Sequence, residues 1–163
     1  MLPEHRYEFR IFAGPYYIDL AHQVWVNDIR LCYEDDELGY HTFGYSHHID
    51  ELNDEKHIAR RLYSLELLLN GAMRIAWLSN HPIPVKFINF RPINGSGTHS
   101  VYADTLEENP FSSNLAIVSP VADFSNNLIS LLIHLSETDR DLRFLLFQAG
   151  LISTADSDRK ILT

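Results

Sequence analysis

Apolar and polar side chains alternate through Tyr7, Glu8, Phe9, Arg10 and Ile11. This period of two predicts a half-buried strand, closed by the turn signal Gly14-Pro15. Tyr16 to Leu20 reads as a short second strand. From Val24 to Tyr33, the residues Trp25, Ile29, Leu31 and Tyr33 share one parity while Asp28 and Arg30 take the other, so a third strand is predicted to run into an acidic turn at Glu34 to Glu37. Residues 39–47 form a fourth strand, paired with the third as a hairpin.

The period then lengthens. Ile58, Leu62, Leu65, Leu69, Ala72 and Ala76 step by fours and threes along one stripe, which predicts a long helix over 54–79 with Asn53 or Asp54 as N-cap and Glu55 in the first turn. Asn80, Pro82 and Pro84 end it. Val85 to Phe90 is strand-like again, Asn94-Gly95-Ser96-Gly97 is a turn, and His99 to Ala103 is the partner strand of a β-hairpin over 84–104; a further short strand is read at Leu115 to Val118. In the C-terminal third, Asp123 or Ser125 caps an apolar helix ending at Leu135. Thr138, with Asp141 three residues on, opens a second helix carrying Leu142, Leu145 and Leu146 that Gly150 terminates, which makes a helical hairpin over 123–150. Ser153 to Asp158 resembles the cap of a third helix with little chain behind it. Either Ile161 and Leu162 tuck back onto the core, or the sequence is a shortened form of a longer one.

This order is segregated, not a regular β-α alternation. It predicts an α+β fold, mainly an antiparallel sheet packed on one long central helix with a C-terminal helical hairpin, in a single domain over 1–163 whose β-rich part is 1–52. A hydrophobic fraction of 45% with 21% charged residues is too apolar for a disordered chain. No apolar run reaches the ~20 residues that span a bilayer, and the first residues lack the basic and apolar segments of an export signal. A single cysteine, Cys32, cannot form an internal disulfide. Together these point to a cytoplasmic protein with no membrane partner.

Charge changes the picture more than composition does. The segment from Glu34 to His57 holds eight of the 22 acidic residues and one of the 13 basic ones, a net of −7 out of −9, so the rest of the chain is nearly neutral. A basic partner would be drawn to that segment, whereas a phosphate backbone would be repelled, which disfavours direct nucleic-acid binding. Lys56, Arg60 and Arg61, extended by Arg74 and with Tyr63 as a stacking partner, could contact a phosphate. Neutralisation of the adjacent acidic segment is the favoured reading.

Candidate chemistry is sparse. Nine histidines are many for this length, and imidazole with carboxylate is a common donor set for zinc, iron or nickel. His48 and Asp50, two residues apart, can chelate, and His57 in the first helical turn can join them; these three are the candidate ligands of a metal-dependent enzyme built on residues 47–57. His41 and His47 lie about 20 Å apart in extended chain and cannot share an ion. Lys56, Arg60 and Arg61 crowd the same turn with positive charge, so a solvated polar face without cofactor is favoured over a metal site. Asp35-Asp36 and Glu107-Glu108 are adjacent pairs whose side chains diverge, and no Gly-x-Ser-x-Gly elbow accompanies Ser96, His99 or Cys32. Asn94 to Thr98 has the glycines of an anion nest but leads into a strand, which makes a tight turn the better reading.

The stretch Asn127-Leu128-Ile129-Ser130-Leu131-Leu132-Ile133-His134-Leu135, followed by Asp139 to Gly150, resembles the helical tail of HEPN-like bacterial proteins. The Arg-x4–6-His signature of HEPN ribonucleases is absent. Arg91 and His99, the nearest pair, have seven residues between them. The resemblance therefore implies a shortened relative acting as a regulator and carries no activity.

The leading expectation is a non-enzymatic interaction protein of bacterial or phage type. It would bind a basic protein partner through Glu34, Asp35, Asp36, Glu37, Asp50 and Glu51 together with Tyr40, Phe43 and Tyr45, with Tyr16, Tyr17 and Trp25 nearby. One form of this role is an inhibitor that presents carboxylates where a nucleic acid presents phosphates. A homodimer through the C-terminal helices is the second partner expectation.

Overall fold

The computed structural model describes residues 5–12, 14, 17–23, 28–77, 84–113 and 128–161. The alternating segment is strand β1 (Tyr7–Phe12), and it is central. It pairs antiparallel on one side with β3 (Gly39–Tyr45), which pairs with β2 (Arg30–Asp36), and on the other with β4 (Lys86–Pro92), which pairs with the two-residue β5 (His99–Ser100). The sheet order is thus β2-β3-β1-β4-β5. The in-pointing residues Tyr7, Phe9 and Ile11 of β1 meet Phe87 and Phe90 of β4, with the Phe9 and Phe87 rings 4.5 Å apart. They bury this sheet face against the long helix α3 (Glu55–Ala76), while Glu8, Arg10 and Phe12 point to the open face.

Asp54 caps α3, its carboxylate accepting from the His57 N–H at 3.2 Å. The helix is buried well beyond its apolar stripe, because the sheet covers one side and α4 (Leu128–Leu135) and α5 (Arg140–Ile161) cover another. Polar groups on the sheet side serve the strand backbone. Since β5 pairs only with Asn89 and Phe90, the N–H of Phe87 is met by Glu66 at 2.7 Å, and Asn70 exchanges two 2.8 Å hydrogen bonds with the backbone of Val85. Burial pushes the Glu66 carboxyl up to about 7, against the pull of the Phe87 N–H.

Several elements differ from the sequence expectation, each for a tertiary reason. Tyr17–Gln23 is helix α1, not a strand. Tyr17, Leu20 and Ala21 fall on one buried helical face, and the Tyr17 hydroxyl reaches the carbonyls of Cys32 at 2.8 Å and Phe43 at 3.1 Å. Glu34, Asp35 and Asp36 belong to β2 instead of a turn, because each pairs with a residue of β3; the turn is Glu37-Leu38, followed by Gly39 at φ 122°. Residues 47–50 leave the strand as a short helix, α2 (His47–Asp50), capped by Ser46.

At the C-terminus the N-cap is Asp139, not Thr138, with its carboxylate accepting from the Leu142 N–H at 3.0 Å. From there α5 continues through Gly150 to Ile161, so the expected third helix is its second half. Gly150 is a packing position and not a stop: a Cβ there would overlap the carbonyl of Leu67, and one at Gly71 would overlap the carbonyl of Leu146. The two helix backbones therefore touch at reciprocal sites. Tyr16, Val24, Trp25, the helix end at 78–80, Pro82, the strand read at 115–118 and the caps Asp123 and Ser125 lie outside the described residues.

Alanine at a helical glycine gains about 1 kcal/mol of helix propensity. Here overlap with backbone that cannot move aside outweighs that gain. Gly71→Ala and Gly150→Ala are each expected to lower unfolding free energy by about 1–3 kcal/mol, read from urea midpoints at constant m.

Candidate functional site

Cross-strand pairing decides what the acidic hairpin presents. Partners such as Asp35 and Tyr40, or Glu34 and His41, share a sheet face, so Tyr33, Asp35 and Tyr40 lie on one side and Glu34, Asp36, His41 and Phe43 on the other. The aromatic set divides accordingly. Tyr33 stacks on Tyr40 at 5.7 Å, whereas Phe43 meets Tyr45 edge-on at 5.8 Å on the opposite face. At the apex Leu38 is 88% exposed, next to Glu37 and Asp36. Asp36 accepts from the Leu38 N–H at 2.8 Å and lies 3.5 Å from His41. Among the described residues, Glu34, Asp35 and Glu37 make no ion pair with a lysine or arginine.

Asp50 and Glu51 do not join this surface. Asp50 accepts from His5 at 2.9 Å, His47 at 3.1 Å and the Arg6 N–H at 2.9 Å. Although burial pushes its carboxyl up, the hydrogen bonds from His47, His5 and Arg6 hold it at about 2. Glu51 faces Arg61 at 3.4 Å and accepts from the Ser112 hydroxyl. Arg61 itself is buried, not outward as its place in the basic stripe suggested. It donates to the His48 carbonyl at 2.7 Å and grips Glu107 through two nitrogens at 3.0 and 3.3 Å. Lys56 and Arg60 do face outward, along an open groove of about 670 Å³ that also holds Glu55, His99, Tyr102 and Asp104.

The three metal candidates are not brought together. Asp50 sits with His5 and His47, and His57 pairs with Glu107 at 3.2 Å. His48, fully buried, donates from Nε2 to Asp28 Oδ1 at 2.7 Å. Its other nitrogen, Nδ1, accepts the backbone N–H of Ser112 at 3.0 Å, which fixes the tautomer with the proton on Nε2. With both nitrogens engaged and no solvent access, His48 is a positioning group and not a base.

Around Asp28 the chain assembles a second polar cluster. The Ser46 hydroxyl donates to the Asp28 carbonyl at 2.5 Å, His134 Nδ1 lies 3.5 Å from Asp28 Oδ2, and Glu137 Oε1 lies 3.4 Å from the same His134 nitrogen. Burial pushes both carboxyls up. His48 and Glu137 bring Asp28 back below the usual range, while contact with Asp28 drives Glu137 further up. Asp28 was masked in the sequence by its polar parity in the expected strand 24–33. His134 and Glu137 did carry a signal, the i, i+3 spacing at a helix end.

Burial pushes the Cys32 thiol up, away from the thiolate form, against the opposing pull of Arg30. Compared with family models, curated proteins and solved structures, the chain matches none.

Two predictions follow from the buried pairs. His48→Phe strands Asp28 and the Ser112 N–H and should cost about 2–4 kcal/mol of stability, whereas His57→Ala at a half-exposed pair should cost less than about 1 kcal/mol, both read by urea unfolding. Asp50 is held at about 2 against an ordinary 3.8, so its contribution is complete above 3.8 and is lost as pH falls toward 2. The thermal midpoint should drop along that acid limb, and Asp50→Asn should flatten it.

Proposed function

We propose that the protein is a non-enzymatic docking module whose β2–β3 hairpin engages a basic protein partner. The observation that carries this reading is the hairpin tip, where four successive carboxylates, Glu34 to Glu37, precede an apex leucine that is 88% exposed. Carboxylates without a lysine or arginine partner raise the rate of encounter with a positive surface, and an apolar tip supplies contact energy once docked.

β2 is also an edge strand, and charge on an edge strand keeps it from pairing with other chains. Edge protection accounts for the carboxylates but not for Leu38, which it would leave polar. The site is narrower than the sequence suggested: Glu34, Asp35, Asp36 and Glu37 with Tyr33, Leu38 and Tyr40, without Asp50 and Glu51. A metal-dependent enzyme on His48, Asp50 and His57 is less well supported, since each of the three is held by a different partner. Self-association through the C-terminal helices has support in the exposed Leu145, Leu151 and Ile152 of α5. Among the described residues no helix is long and apolar enough to cross a membrane.

The test places a photo-crosslinking side chain at Leu38 and identifies what it captures. Capture of a partner with a basic surface should fall at least about tenfold from low to roughly 0.3 M salt, and similarly in Asp35→Ala/Asp36→Ala/Glu37→Ala. Capture indifferent to both would remove the proposal.

A further inference from the structure

Asp28, just ahead of β2, meets His134 and Glu137 at the C-terminal end of α4. One donor atom from each lies within 4.8 Å of the other two, and the two histidine-to-carboxylate distances are 3.4 and 3.5 Å. Ligands sharing a tetrahedral cation at bonds of about 2.0–2.2 Å stand roughly 3.3–3.6 Å apart. These separations therefore suit a common ion with little movement.

The chemistry of the cluster asks for a cation. Two carboxylates close together, with Asp28 5% and Glu137 28% exposed, gather negative charge where water reaches it poorly, and a divalent ion would balance it. The negative end of the α4 dipole adds to the same field. Arg143, the nearby guanidinium, is occupied by the carbonyls of Ser136 and Glu137.

His48 is excluded as a ligand, because the Ser112 N–H on Nδ1 leaves the proton on Nε2. It serves instead to hold Asp28 Oδ1, turning Oδ2 toward His134 and Glu137. Such hydrogen bonds to a ligating group set its orientation. The other cluster of this kind, His5, His47 and Asp50, has one carboxylate already bonded to Arg6. Its His47 Nε2 is buried without a partner, so a metal on Nδ1 would leave a buried N–H unsatisfied.

We propose that Asp28 Oδ2, His134 Nδ1 and Glu137 Oε1 form a three-ligand site for a divalent transition cation of the zinc, manganese or iron class, with His48 as the donor that orients Asp28. One imidazole with two carboxylates suits these ions better than calcium or magnesium, and the absence of sulfur sets it apart from sites for copper(I). His134 is 42% exposed, whereas Asp28 is 5% exposed. The site is independent of the docking hairpin, and failure of either leaves the other standing.

The experiment is calorimetric titration of the untagged full chain with Zn2+ and, separately, Mn2+, followed by dialysis and elemental analysis. The expected result is about one ion per chain that survives dialysis. Glu137→Gln retains a hydrogen bond to Asp28 and should fold normally, yet it should bind at least about 100-fold more weakly, as should His134→Ala. His5→Ala/His47→Ala should bind as the parent does. Binding that persists in Glu137→Gln and His134→Ala, binding abolished in His5→Ala/His47→Ala, or no stoichiometric binding by the parent chain would each overturn the proposal.

Discussion

The long helix α3 is enclosed between the sheet and α5, and two glycines let the backbones of the two helices touch. Gly71 of α3 lies under the Leu146 carbonyl of α5, and Gly150 of α5 lies under that of Leu67 of α3. The approach brings Leu67, Leu146 and Phe147 into the same buried cluster as the sheet residues Phe9, Phe87 and Phe90. Both halves of the chain share one core as a result. The orientation of α5 follows from this contact, and with it the buried Arg143 that caps the carbonyls of Ser136 and Glu137.

The polar interior is organised around α2. Its short turn places His47 and Asp50 together against His5, and His48 against Asp28. Arg61 on α3 ties the His48 carbonyl to Glu51 and Glu107, so the base of the hairpin, the long helix and the loop at 101–113 are held by one guanidinium. Burial of a cation is costly unless its partners are arranged in advance, and here three acceptors converge on it. The acidic segment that looks continuous in sequence is divided by this arrangement: Asp50 and Glu51 are engaged by His5, His47, Arg6 and Arg61, while Glu34 to Glu37 of the hairpin face solvent.

That division gives the molecule two separate chemistries. The hairpin is an outward feature governed by long-range charge and one apolar tip. The Asp28 cluster is an inward feature governed by desolvation, where His48 and His134 meet two carboxyls partly removed from water. They lie on different parts of the fold, since Asp28 precedes β2 while the hairpin tip is at its far end.

Whatever repeats along the chain was legible in it. Alternation located β1 and the start of β2, the hairpin and strand-like runs located β3 and β4, the apolar stripe located α3 with its Asp54 cap, and residue counting located the charge near Glu34 to Glu37. What depended on partners was not. Tyr17 to Leu20 is too short a run to separate a strand from a helix until Cys32 and Phe43 offer their carbonyls to Tyr17. Glycine at 150 has the same local meaning whether a helix stops there or is crossed there, and only the Leu67 carbonyl decides between them. Asp28 and His48 are 20 residues apart, and their hydrogen bond leaves no periodicity in the chain, because such a contact is made by the packing of distant segments and not by any local preference of the backbone.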